Sequence, residues 1–381
     1  MRRILGILLV LGIVLGGAGC EPEEIAPIKI GLQGPMTGEW SAEGEGFRRA
    51  VQLVADQINE QGGLLDGRPV EILIEDDRGD PDMARRAAEN LVEAGVVAAI
   101  GGYNSDATEA AMAVYADQGL LHLSPSATAT HLTQKGYETF FRLSFPDERQ
   151  GVFAAEFMLG TLDVSEVAFV HDGSDYAQGL AETARDALEE QGGDVALFHR
   201  ISPGQRDFSE LLDELKNSGA ELLFFSGYYP DAALIAQQLD DESALRDLDL
   251  MGGDAVYNPE FISIAGGEPA VGTMVTTMPL PEDIETAEAI AFKEAYAEQY
   301  GSPPDAVWTL TAADAIRLIT QAIEETGTTD GAALVDYLRG LEDYRGVSGE
   351  IQGFDAQGER LGSPLAVYIV NRDWNFVPYR P

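Results

Sequence analysis

The sequence predicts an α/β fold of two doubly wound lobes. Three observations predict it: short, continuously apolar strands, amphipathic helices alternating with them, and more residues than one core usually serves. Ile28-Lys29-Ile30-Gly31-Leu32 reads as the first strand. From Phe47 to Asn59 the apolar residues Val51, Val54, Ala55 and Ile58 recur at helical spacing on one face. Val70 to Ile74 returns to a strand. Pro81 to Glu93 is a helix, opened by Asp80 as N-cap with proline at the first helical position, and Val96 to Ile100 is a buried strand. The alternation resumes with strands at Val167 to Val170, Val195 to Phe198 and Leu222 to Phe225, and helices at Tyr176 to Glu190, Phe208 to Lys216 and Asp231 to Leu239. Strands of this kind, separated by amphipathic helices, imply parallel sheets covered on both faces.

The N-terminus is a separate segment. Arg2 and Arg3 precede an apolar run from Ile4 to Leu15, followed by Gly16, Gly17, Ala18, Gly19 and then Cys20. A basic start, a short apolar stretch and small residues before a cleavage point describe a signal peptide. The run is shorter than the ~20 apolar residues a membrane span needs. Cys20 is the only cysteine, so it cannot belong to an internal disulfide. Residues 21–27 read as a solvated tether. What remains is about 355 residues, enough for two domains.

The chain carries 65 acidic and 24 basic residues, a net charge of −41. Binding a phosphate backbone requires clustered Lys and Arg, so a nucleic-acid partner is excluded. The apolar content is that of a globular protein, so the charge does not imply disorder. Acids such as Glu182, Asp186, Glu189 and Glu190 fall on helix faces and read as a self-repelling coat that salt must screen. A salt-adapted, monomeric protein is the expectation.

In open α/β sheets ligands bind beyond the carboxyl ends of the strands. After Ile100 comes Gly101-Gly102-Tyr103-Asn104-Ser105-Asp106 and a helix from about Ala107, which sets a hydroxyl beside the positive end of a helix dipole, as a carboxylate requires. After Leu123 comes a second hydroxyl-rich turn, Ser124-Pro125-Ser126-Ala127-Thr128-Ala129-Thr130. On the other half, Ser226-Gly227-Tyr228-Tyr229-Pro230 follows one strand, and Met251-Gly252-Gly253-Asp254 ends the next. There Asp254 could face an ammonium group or simply form a turn.

These stretches, together with Gly31-Leu32-Gln33-Gly34-Pro35-Met36-Thr37-Gly38, Ala55-Asp56-Gln57-Ile58-Asn59-Glu60-Gln61-Gly62-Gly63, Phe141-Arg142, Val170-His171-Asp172 and Tyr176-Ala177-Gln178-Gly179, resemble the leucine-isoleucine-valine-binding protein family. Its members are the type I periplasmic binding proteins of ABC importers. The resemblance runs from about Ile28 to Tyr379. It implies two Rossmann-like lobes, 28–146 with 277–354 and 147–276 with 355–381, joined by three crossovers near Phe145-Pro146, Thr276-Thr277 and Phe354-Asp355. The lobes would close over an amino acid, branched-chain type first, and deliver it to membrane permease subunits. Gly17-Ala18-Gly19-Cys20 resembles a bacterial lipobox, which implies an acylated Cys20 and a membrane anchor, although Gly17 stands where leucine is usual.

Residue by residue, the resemblance makes Ser105, Ser126, Ala127 and Thr128 the lobe-one contacts to the solute's charged groups, with Ser126 standing where an alanine is usual. Tyr176 and Tyr228 become lobe-two aromatics covering the solute, and Asp254 the amine-binding acid, usually a glutamate. Glu43 and Ala306 fall where aromatics commonly line the side-chain pocket, so a larger or polar amino acid, or an amide, is the alternative solute. An enzyme is not expected. The four histidines, His122, His131, His171 and His199, lack the i, i+4 spacing of a metal helix, and no phosphate-binding or nucleophile-elbow motif is present, so neither cofactor nor metal is expected. His171, at a strand's carboxyl end, is the one plausible catalytic imidazole and reads as structural. A ligand-sensing receptor module shares this fold but would add a transmembrane or signalling segment.

The acid coat makes folding salt-dependent. Screening reaches about 10 Å at 0.1 M ionic strength and about 3 Å at 1 M. The melting temperature is therefore expected to climb steeply between dilute buffer and molar NaCl. A flat profile in scanning calorimetry would remove the argument.

Overall fold

The computed structural model describes residues 25–380. The signal segment, Cys20 and most of the tether lie outside them. The first sheet contains β1 (Ile28–Gly34), β2 (Val70–Asp76), β3 (Ala98–Ile100), β4 (Leu121–Ser124) and β5 (Phe140–Arg142). All its pairings are parallel, in the order β2-β1-β3-β4-β5. Helices α1 (Ser41–Glu60), α2 (Pro81–Glu93), α3 (Ser105–Asp117) and α4 (His131–Gln134) connect the strands. Ile28, Ile30 and Leu32 are fully buried on β1, and Phe47, Ala50 and Val51 of α1 close over that sheet. The Asp80 carboxylate accepts the Met83 N–H at 2.9 Å and caps α2 as its sequence indicates. By contrast α1 begins at Ser41, well before Phe47, because its Gly- and Glu-rich first turns carry no apolar period.

The second sheet begins after α5 (Asp147–Gly160). It holds β6 (Glu166–His171), β7 (Asp194–Arg200), β8 (Leu222–Ser226), β9 (Asp249–Gly252) and β10 (Met274–Thr277), linked by α6 (Asp175–Glu190), α7 (Ser209–Ser218), α8 (Tyr229–Asp241) and α9 (Pro259–Ala265). The parallel order β7-β6-β8-β9-β10 repeats that of the first sheet. The chain then leaves for α10 (Ala287–Tyr300), α11 (Val307–Thr326), α12 (Gly331–Arg339) and the hairpin β11 (Tyr344–Gly346) with β12 (Gly349–Ile351). It returns as β13 (Ala366–Val370) and β14 (Phe376–Pro378), an antiparallel edge on the second sheet beside β10. No described helix is long and apolar enough to cross a membrane.

Helix α11 packs on α1, with Leu310, Ile316 and Ile319 fully buried, so the first lobe is made of two distant stretches of chain. The sequence places the third crossing near Phe354-Asp355, but the backbone there stays beside the first sheet. Phe354 bridges Arg360, Glu359 bridges Arg142 of β5, and the Arg142 N–H donates to the Gly358 carbonyl at 3.0 Å. The passage to the second sheet therefore follows Leu361. What holds the turn is Arg142. Its fully buried guanidinium donates from Nε to Glu359 Oε2 at 2.6 Å and from Nη2 to the same carboxylate.

Candidate functional site

The two sheets share a strand order in which neighbouring loops diverge beside the first strand, between β1 and β3 and between β6 and β8. The loops after those strands meet between the lobes. They surround a narrow cavity of about 10 Å³ lined by Tyr103, Ser105, Ser126, Thr128, Trp308 and, from the second lobe, Tyr176, Tyr228, Asp254 and Ala255. Of the residues singled out from the sequence, Ser105, Ser126, Thr128, Tyr176, Tyr228 and Asp254 are thus brought together.

Each is held by local chemistry. Ser105 opens α3, and its Oγ accepts the Ala129 N–H at 3.2 Å, tying the helix start to the second hydroxyl-rich turn. The Ser126 hydroxyl donates to the Gly102 and Tyr103 carbonyls, both at 3.3 Å. Only glycine fits at 101: φ is +137°, and a Cβ would stand 2.0 Å from the Gln33 carbonyl oxygen of β1. Across the cleft the Tyr176 hydroxyl donates to Asp254 Oδ1 at 3.0 Å and accepts the Ala255 N–H at 3.3 Å. Gly253 permits this approach, since a Cβ there would lie 2.6 Å from the Tyr176 oxygen. The Tyr228 ring lies 5.5 Å from Tyr176 and 6.0 Å from Tyr103, centroid to centroid. It also lines a wider cleft of about 430 Å³ whose walls carry Glu39, Asp106, Asp172 and Asp231.

Burial sets the electrostatics. Removal from water pushes the Asp254 carboxyl up to about 6, against the stabilising hydrogen bond from Tyr176. Asp147, at the start of α5, is raised well above the carboxylate range by its burial and then by the charge of Asp254. Neither of its carboxylate oxygens has a hydrogen-bond partner. The arrangement offers hydroxyls and a helix N-terminus on one wall, a dry carboxylate on the other and aromatic rings between. That set can answer both charges of a small zwitterion; around the cavity it provides no nucleophile with an adjacent base.

Three pocket residues named from the sequence stand elsewhere. Ala127 lies behind the turn: in this extended segment Ser126 and Thr128 face the cavity, while Ala127 and Ala129 pack with Met112, Leu132 and Phe140. Glu43 is buried but does not line the cavity. Its Oε1 accepts from Asn258 Nδ2 of the second lobe at 2.9 Å, and burial pushes its pKa up to about 7. Ala306 precedes α11, and the aromatic wall comes instead from Trp308 in the first turn of that helix. Tyr103 was equally unmarked by sequence, although it stands inside the glycine-rich loop. His171 lies at the end of β6 with its ring 5.2 Å from Phe198, away from the cavity, and His122 donates to the Gly101 carbonyl at 2.6 Å as a neutral core group.

The profile of the periplasmic binding proteins matches residues 27–374. The chain belongs to the periplasmic binding protein family. Within that family it is 32% identical over 349 residues to the leucine-, isoleucine-, valine-, threonine- and alanine-binding protein of Pseudomonas aeruginosa, covering 91% of this chain and 90% of the relative. It is 30% identical to a Leu/Ile/Val-binding protein homolog of Brucella melitensis, over 94% of each chain. Among solved structures, the LivJ substrate-binding protein of Streptococcus pneumoniae in complex with isoleucine superposes with a TM-score of 0.84 at 28% identity, covering 93% of this chain and all of that one. The leucine-binding protein LivK of Thermotoga maritima gives a TM-score of 0.85 at 28% identity, covering 93% of this chain and 98% of that one. The resemblance read from the sequence motifs is therefore to the right family, whose members bind solutes and do not catalyse.

The raised pKa of Asp254 yields a prediction for the solute-free protein. Between about pH 4 and pH 6 the folded carboxyl holds a proton that the unfolded one has released, so stability falls as pH rises through that window. Above pH 6 the full cost is present, as much as about 3 kcal/mol. Asp254→Asn is therefore expected to melt above wild type at pH 7.5 without solute, with the gap closing toward pH 4. A variant less stable than wild type at pH 7.5, by scanning calorimetry, would show that the carboxylate is not strained in the cleft.

Proposed function

We propose that this chain is the extracytoplasmic solute-binding subunit of an ABC importer and that its lobes close on an amino acid, a branched-chain one first. One observation carries the reading. Asp254 on one lobe and the Ser105, Ser126 and Thr128 hydroxyls beside the N-terminus of α3 on the other line a single cavity. An ammonium and a carboxylate on one small molecule answer both walls at once, and each charge needs its partner because an unpaired ion removed from water is strongly disfavoured. Trp308, Tyr103 and Tyr228 favour an apolar side chain. With Glu43 engaged by Asn258, nothing charged faces that side chain, which favours a branched-chain solute over a polar one. The names of the relatives agree with this choice.

The finer features follow from the same reading. Cys20 as the acylated N-terminus would tether the protein at the membrane, where permease subunits receive the solute. The net charge of −41 suits a monomer in a salt-rich medium.

Titration calorimetry against L-leucine, L-isoleucine and L-valine tests the site. Losing one partner of a buried charge pair costs about 2–5 kcal/mol, so Asp254→Asn is expected to weaken the best of the three by roughly 30-fold to several thousand-fold. An affinity within threefold of wild type would return Asp254 to the role of a turn residue. For the anchor, Cys20→Ser is expected to move the protein from the membrane to the soluble fraction with binding intact. Continued membrane association of that variant would sink the lipid anchor.

A further inference from the structure

We propose that Glu109, His131 and Asp175 form a divalent transition-metal site that spans the mouth of the interlobe cleft. Glu109 lies on α3 and His131 opens α4, both in the first lobe, while Asp175 opens α6 in the second. His131 Nε2 stands 2.8 Å from Glu109 Oε2 and 3.8 Å from Asp175 Oδ2. One donor atom from each of the three falls within 4.8 Å of the others.

These separations bracket what a metal needs. Zinc bonds nitrogen and carboxylate oxygen at about 2.0–2.2 Å, which puts neighbouring donors of a tetrahedral shell ~3.3 Å apart. The three side chains are 32–53% exposed, so the small adjustments required meet no packing resistance. One imidazole with two carboxylates suits zinc, nickel or cobalt, whereas calcium and magnesium prefer oxygen alone. The remaining coordination position opens to solvent.

The surroundings prepare the donors. Lys135 Nζ holds the other oxygen of Glu109 at 2.5 Å, which orients the carboxylate and leaves Oε2 for the ion. The backbone N–H of Asp175 donates to Asp106 Oδ1 across the cleft at 3.4 Å, fixing the start of α6 beside the first lobe.

Because the third ligand comes from the opposite lobe, the ion bonds fully only when the lobes are together. A metal here favours the closed form, and by linkage a bound solute tightens the metal by the same factor that the metal tightens the solute. That consequence and the third ligand rest on the closure reading above; the Glu109 and His131 pair, both in the first lobe, does not.

The test uses the full chain, stripped with chelator and free of solute, titrated with zinc chloride by calorimetry at pH 7.5 in NaCl at which the protein is folded. The expected result is one saturable ion per chain. His131→Ala and Asp175→Asn should each weaken it by about tenfold or more, a loss at least as large as that of an outer-sphere partner. His199→Ala removes a half-buried imidazole 2.9 Å from Glu214 within the second lobe and should leave zinc binding unchanged. Absence of saturable binding, undiminished affinity in Asp175→Asn, or loss in His199→Ala would each overturn the proposal.

Discussion

The buried charge of Arg142 is the constraint around which the first lobe is arranged. A guanidinium removed from water must have every donor answered, and an uncompensated one costs several kcal/mol. Its answers come from three places at once. Glu359 supplies the carboxylate, Thr133 accepts from Nη2 at 3.4 Å, and the Ala129 and Ala127 carbonyls accept from Nη1 at 2.9 and 3.4 Å. Two carbonyls of the hydroxyl-rich turn are thereby drawn inward. By the alternation of an extended chain, Ser126 and Thr128 are left on the cleft side. The requirement of one cation thus fixes the orientation of one wall of the site and, through Glu359, holds the returning chain against β5.

The opposite wall obeys the reverse rule. Asp254 is buried without a matching cation, and at Asp147 the charge of Arg142 offsets only part of the cost of burial. The hydrogen bond from Tyr176 holds Asp254 in place without neutralising it. A fold normally avoids such a group, and its persistence where two lobes meet is what a charge-bearing solute would explain.

Much of this was legible in the sequence because the signals were local. The Asp80-Pro81 helix start, the apolar strands and the glycines at 101 and 253 are consequences of neighbouring residues, and each of these loops follows a strand whose carboxyl end could be counted. Contributions from distant parts of the chain were not legible. Trp308 reaches the cavity from a helix that follows the second sheet, and Asn258, which engages Glu43, belongs to the other lobe. His131 and Asp175 are far apart in the chain, so no spacing rule for metal ligands joins them. The antiparallel edge formed by β13 and β14 likewise depends on a chain reversal that the pattern of apolar residues does not announce.

The division of the first lobe between two stretches of chain has a consequence for assembly. The second lobe draws its five parallel strands from one continuous segment, Glu166 to Thr277, and its contacts are short in sequence. The first lobe cannot close its core until α11 reaches α1, a pairing separated by some 250 residues. Loops of that length are slow to close relative to local contacts. During synthesis the five parallel strands of the second lobe can pair while the earlier-made strands of the first still wait for α11, and the edge β13 and β14 joins the second sheet last. The strands made first are therefore the ones that wait longest for a partner and are most in need of protection on the way.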